Sequence, residues 1–206
     1  MLYSPTSDET LEASLTVYAF MDGLRHRILG CNGSWGVGQR AGQPASLVAQ
    51  LTGIVAGYNE AVAVPAGYVP VTRQPPRRAG GAAQLNRSVM KAAAAGFEMN
   101  ARSAYPENPE GPEGYDPPII TGAGPRITVD PFSSTTSTPT RTTAYRAGTP
   151  VPVAAIWGST AGNRFALSCP NAQIVDLQPS ERAELGVDAI ALQPDQNNAS
   201  LFLALF

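Results

Sequence analysis

From Leu15 to Met21 the side chains alternate. Leu15, Val17, Ala19 and Met21 fall on one face, and Thr16, Tyr18 and Phe20 on the other. A period of two with β-branched and aromatic residues predicts a β-strand. Asp22-Gly23 follows, a pair suited to the positive φ angles of a tight hairpin turn. Leu24 to Leu29 predicts a second strand, so the chain opens on a hairpin over 14–29. Glycine then recurs at 30, 33, 36, 38 and 42, too often for a helix. That spacing predicts a third strand with a bulge or a close backbone approach. Ser46 to Val55 predicts a fourth strand, ending near Gly57.

Further along, the pattern is less regular. Residues 65–81 are rich in proline and arginine and predict an extended crossing segment or a loop. Arg73, Arg77 and Arg78 there are either solvated or contacts to a neighbour. Residues 82–105 read two ways: Ala92 to Ala95 favours a helix by propensity, while Gly96 to Arg102 alternates like a strand. Prolines at 106, 109, 112, 117 and 118 predict a long, loose loop over 106–118. A turn at 122–125 leads into a strand from Arg126 to Asp130. The Ser/Thr/Pro tract of 133–143 predicts a short helix through Thr142 to Arg146. Val151 to Trp157, Arg164 to Ser168, Asn171 to Leu177 and Asp188 to Leu192 predict strands, the last two separated by Pro179 and Gly186. The apolar end, Leu201 to Phe206, predicts a strand that another strand or subunit must cover. Many short strands between turn signals predict a mainly β protein, an antiparallel β-sandwich or barrel with one short helix and long loops. Residues 1–13 are expected to form an arm, and 14–206 one domain.

Composition narrows the partners. Charged residues are 15% of 206, well below the usual quarter, so much of the surface is neutral. Such a surface suits permanent neighbours. The net charge of −2 offers no basic stripe for phosphates, so stable nucleic-acid binding is not expected. No apolar run reaches the length of a membrane span. The polar, acidic start does not read as a signal peptide, and a cytoplasmic site of synthesis is expected. Cys31 and Cys169 are expected to be half-buried free thiols, with one long-range disulfide as the alternative.

Candidate chemistry is sparse. His26 is the only histidine, so a metal site or a Ser-His-Asp triad would have to use it. It lies between Arg25 and Arg27 in a predicted strand, where a surface role is expected. The glycines of 30–42 lack the last glycine of a dinucleotide fingerprint and the Lys-Ser/Thr of a P-loop. Glu107, Glu110, Glu113 and Asp116 share the long loop, where a solvated acidic surface is expected before a weak cation site. Asn32, Asn86 and Asn198 begin glycosylation sequons that read as chance matches. Trp35 and Trp157 are expected to pack between strands; the alternative is stacking on sugars in a carbohydrate-binding domain. The expectation is therefore no enzyme, and no catalytic, cofactor or metal residues.

An ordered set of motifs runs through the front of the chain. Tyr3 through Asp8 leads to Leu15 through His26, which carries the Asp22-Gly23 turn. Ile28 through Trp35 carries Gly30 and Gly33, and Ala41 through Pro44 carries Gly42 and Gln43. Leu51-Thr52-Gly53 and Ala63 through Pro65 follow, and a weaker echo recurs from Gly158 to Gln173. In order and spacing these resemble the tail tube proteins of long-tailed (siphovirus-type) bacteriophages. The resemblance implies a β-sandwich of the tail-tube type whose subunits form hexameric or pseudo-hexameric rings, stacked into the tube through which DNA passes. It implies self-assembly, contact with neighbouring tail proteins and a tape-measure protein, DNA only in transit, no membrane, and a place in the virion tail after assembly in the bacterial cytoplasm. In longer relatives the tyrosine–proline segment lies mid-chain, so this chain looks like their second half. Other virion parts are the alternative: a distal tail ring, a tail terminator or a capsid decoration protein.

Overall fold

The computed structural model describes residues 2–3, 13–69, 72, 75–76, 82–111, 113–195 and 201–205. The protein is mainly β, with antiparallel pairing throughout and one helix. The first hairpin forms as the alternation predicts. Strand β2 (Leu15–Met21) turns at Asp22-Gly23, both with positive φ, into β3 (Leu24–Arg40). The two strands expected on either side of Gly30 are one strand of 17 residues. Gly30 bulges it without ending it, since its φ of 61° lets one extra residue leave the ladder. Strand β4 (Ser46–Glu60) returns along β3 and runs past Gly57.

β5 (Ala83–Leu85) and β6 (Ser88–Met90) form a small hairpin through Asn86-Arg87. β7 (Ala92–Glu98) settles the helix–strand ambiguity of Ala92 to Ala95 in favour of strand. It lies between β3 and β10 (Arg126–Pro131), and pairing on both edges outweighs alanine's helix propensity. β8 (Ala101–Ala104) and β9 (Ile119–Ala123) make a separate two-stranded sheet. Helix α1 (Ser137–Ala147) begins inside the Ser/Thr/Pro tract, earlier than the predicted Thr142. Its start is held by a reciprocal pair: Ser137 N–H donates to Ser134 Oγ, and Ser134 N–H to Thr138 Oγ1. Within it, the Thr140, Thr142 and Thr143 hydroxyls donate to the carbonyls four residues back. Gly148, left-handed at φ 62°, ends it.

β11 (Val151–Trp157) keeps its predicted bounds. The strands expected at Arg164–Ser168 and Asn171–Leu177 are one, β12 (Phe165–Arg182). An extra residue between Cys169 and Ala172, and another at Val175, bend it. Its first half pairs with β11 and with β14 (Phe202–Leu205); its second half pairs with β13 (Leu185–Pro194). Pro170 sits in the first bulge and Pro179 on a half-strand that, among the described residues, is paired on one side only, places where a missing N–H costs no ladder bond. The break between β12 and β13 is therefore neither Pro179 nor Gly186 but Ala183-Glu184, with φ of 49° and 62°. Neither residue favours the left-handed region, which costs roughly 1–2 kcal/mol for an L-residue other than glycine or asparagine. Ala183→Asn with Glu184→Gly, the preferred pair for this turn, is expected to raise stability by about 1 kcal/mol, read as a higher midpoint in thermal or urea unfolding.

The main sheet runs β2-β3-β7-β10-β13-β12-β11-β5-β6, with β4 on β3, β14 on β12 and β1 (Leu2–Tyr3) on β14. Among the described residues β2 and β6 do not pair, and no barrel closes. The apolar C-terminal strand is covered within the chain, by β12 on one side and β1 on the other. Part of the expected N-terminal arm is thus β1; residues 4–12, with the motif from Ser4 to Asp8, and Arg73, Arg77 and Arg78 lie outside the described residues. The core is built from side chains of β5, β6, β7, β10, β11, β12 and β13, with Leu201 beside them. Phe97, Ile127, Val129, Val153, Trp157 and Leu192 are all buried in it. Trp157 stacks on Phe165 at 4.6 Å, and Trp35 packs on Phe97 at 5.0 Å. Cys31 and Cys169 are both buried and free, and burial raises the Cys169 thiol to about 11.

Candidate assembly surface

The glycine motif residues lie along the β3–β4 hairpin. Asp22 and Gly23 form the turn beside one end, and Gly42 and Gln43 the connection at the other. Gly42 has φ 76°, and Gln43 N–H donates to Arg40 O at 3.1 Å. Between them, Gly33 and Gly53 let the backbones close. A Cβ on Gly33 would lie 2.1 Å from Gln50 O, and one on Gly53 would lie 2.6 Å from Cys31 Sγ. Gly30 has a third neighbour: its Cβ would lie 2.7 Å from Pro117.

That last contact belongs to the 106–118 loop, which is tied down rather than loose. Glu107 bridges Tyr115, Asn108 N–H donates to Gly114 O at 2.9 Å, and Asn108 Nδ2 donates to Asp116 Oδ1 at 2.7 Å. The segment also grips β3 and β4. Asn32 Nδ2 donates to Pro118 O, Tyr105 Oη donates to Gly53 O at 3.4 Å, and the Thr52 and Ser103 hydroxyls meet at 3.1 Å. Glu107, Glu110, Glu113 and Asp116 all face solvent. Among the described residues no group of three or more His, Cys, Asp or Glu is placed to hold a metal ion.

Beyond this grip, β2, β3 and β4 form a three-stranded extension that buries little. Cross-strand partners share a face. Val17, Ile28 and Val55 fall on one face, and Tyr18, Arg27 and Gly57 on the other. Val55 is exposed on the first face and Tyr18 on the second. Where β3 has passed from β2 to β7, Leu47 and Val48 of β4, neighbours that point to opposite faces, are both exposed. Two arginines of the extension share one carboxylate. Arg25 reaches Glu60 Oε2 at 2.6 Å and lies over the Tyr18 ring, and Arg27 comes within 3.8 Å of Glu60 Oε1. His26 packs its ring on Tyr58 at 4.8 Å, and its Nδ1 accepts from Asn59 N–H. These groups lie along a strand surface and line none of the pockets found.

No family model and no curated protein matches this chain. The assignment of a role therefore rests on its own residues. No helix among the described residues is long and apolar enough to cross a membrane.

One polar cluster was not legible in the sequence. Asp188, on β13, is 3% exposed. It accepts from Ser133 Oγ at 2.7 Å, Thr138 Oγ1 at 2.8 Å and Arg141 Nη1 at 2.5 Å. Burial alone would raise its pKa. The three hydrogen bonds and the Arg141 charge outweigh burial and hold the carboxyl below its ordinary range. The cluster clamps α1 onto the sheet; no sequence spacing announces it, because the partners are about 50 residues apart.

Proposed function

We propose that this chain is a structural subunit of a phage tail tube, a component of stacked rings through which DNA passes, and not an enzyme. The observation that carries this reading is the β2–β3–β4 extension, a sheet with large apolar side chains open on both faces. A surface of that kind is stable in solution only when neighbours cover it. The ordered motifs from Tyr3 to Pro65, the low charge density and the mainly β fold support the same reading. A near-neutral chain also suits a tube whose cargo must slide, because it gathers few phosphate contacts. Its partners are other copies of itself, neighbouring tail proteins and a tape-measure protein, and its location is the virion tail after assembly in a bacterial cytoplasm.

Negative-stain microscopy of the purified chain is expected to show rings or tubes of constant diameter, and quantified particles are expected to carry it in far more copies than one ring needs. A compact monomer under all conditions, with the particle's tube made of another protein, sinks the proposal. A copy number of one ring's worth moves the assignment to a terminator or distal ring.

A further inference from the structure

The 106–118 loop carries charge that the fold does not use. Glu107, Glu110, Glu113 and Asp116 stand in a stretch with no Lys, Arg or His between Arg102 and Arg126. The ion pairs among the described residues use Glu60, Asp130 and Asp188 and none of these four. Exposed acids are ordinarily no more than solvated surface. Glu113 has a different setting. It lines a cleft of about 300 Å³ together with Gly53, Ile54 and Val55 of β4 and with Tyr105 and Tyr115. Glu107, Glu110 and Asp116 do not line it. The cleft is built in advance of any ligand. The Tyr105 hydroxyl donates to Gly53 O, and Tyr115 is held by its bridge to Glu107. The two ring centroids are 6.1 Å apart and the ring planes 63° apart. Tyr105 and Tyr115 are 43% and 46% exposed, so both keep open surface beside a carboxylate.

We propose that this cleft binds a small quaternary ammonium cation, a trimethylammonium compound of the choline type. A cation within about 6 Å of an aromatic centroid is attracted by the ring's electron-rich face. Centroids 6.1 Å apart let one cation meet that distance for both rings. Glu113 supplies the opposite charge, and the other carboxylates of the loop favour entry of a cation over an anion. The lining then selects among cations. A guanidinium or a primary ammonium brings several N–H donors, each needing an acceptor. Ile54 and Val55 offer none from their side chains, and Gly53 O already accepts from Tyr105. A fully methylated ammonium has no N–H to satisfy and presents methyl groups to the apolar wall. The volume stands at the low end for ligand pockets, about 300–1,000 Å³, and suits a small cation rather than a larger molecule. A phosphate attached to the ligand would face the acidic loop, so the free cation is the occupant and a lipid headgroup is not. The site lies within one chain and stands or falls independently of the tube reading.

Calorimetric titration of the full-length protein with choline chloride at low salt is expected to show one saturable site of millimolar affinity. The neutral isostere, with carbon in place of the nitrogen, is expected to bind about tenfold more weakly. Tyr115→Leu is expected to weaken choline about tenfold, and Tyr115→Phe, which keeps the ring, to leave it within about twofold. Glu113→Gln removes one charge from an exposed side chain and is expected to weaken choline about fivefold. Glu110→Gln removes the same charge off the cleft and is expected to change binding by less than about twofold. Circular dichroism checks that each variant stays folded, and the two glutamine variants decide the matter if Tyr115→Leu unfolds. Absence of a saturable heat, equal binding of the isostere, or equal losses in Glu113→Gln and Glu110→Gln overturns the inference. So does arginine binding more tightly than choline, which would make the cleft a seat for a basic side chain. Binding of phosphatidylcholine vesicles without binding of free choline overturns it as well.

Discussion

Asp188→Ala is expected to cost about 3–5 kcal/mol, the range for removing one partner of a buried ion pair. The substitution leaves Arg141, whose side chain is 11% exposed, without its carboxylate, and strips the Ser133 and Thr138 hydroxyls of their acceptor. In a chain of this length the thermal midpoint should fall by roughly 10 °C. Asp188→Asn keeps the shape and one acceptor but not the charge, and should fall between the two. The pH dependence has a fixed sign. The folded carboxyl titrates below its ordinary value, so the unfolded state binds the proton more readily. The contribution is complete above the unfolded carboxylate pKa, about 4. It declines as pH falls below that value and is gone once pH passes below the folded pKa. The parent's excess stability over Asp188→Asn should therefore shrink on acidification from about pH 5 to pH 3. An unfolding series at fixed salt checks this, and a difference that stays constant would show that the charge contributes nothing.

Gly33→Ala is expected to be the second most damaging change. The added Cβ would lie 2.1 Å from Gln50 O and 3.1 Å from the Leu51 Cα, both backbone atoms held in the β3–β4 ladder. Gly33 also has a φ of 155°, where a Cβ is strained. Overpacking costs about 1–3 kcal/mol, and a forced backbone conformation costs another ~1–3 kcal/mol. Two neighbours separate the causes. Gly42 has φ 76° but nothing within 4 Å of a Cβ, so Gly42→Ala isolates the conformational cost, about 1 kcal/mol. Gly38 has ordinary φ and meets only Ser46 Oγ at 3.9 Å, so Gly38→Ala should be close to neutral. Equal losses at all three positions would refute the close-approach account. Urea unfolding reads the order directly.

The legible parts of the fold share a property: their cause is local. The β2–β3 hairpin follows from an alternation and an Asp-Gly pair, which act over a few residues. The close approach at Gly33 was written in the glycine spacing. The boundaries that were missed had distant causes. Pro179 reads as a breaker until this half of β12 is seen to pair, among the described residues, only with β13. Ala183-Glu184 carries no turn signal; the pairing from Glu181↔Gly186 to Ala172↔Pro194 imposes the turn. Ala92 to Ala95 favours helix by itself and becomes strand between β3 and β10. α1 is clamped at its first turns by Asp188 of β13, which accepts from Thr138 and Arg141, on top of the local Ser134–Ser137–Thr138 bonds.

The candidate surface divides along the same line. Low charge density and strand periodicity are properties of composition and spacing, and by themselves they determined a mainly β chain with a neutral exterior. Which apolar residues would remain exposed was not in them, because an alternating strand has the same pattern whether its apolar face meets a core or a neighbour. Only the tertiary structure decided that. Among the described residues it covers the terminal strand with β1 and β12 and gives β2 and β4 no strand partner but β3, since burial depends on which strands the chain's path brings alongside.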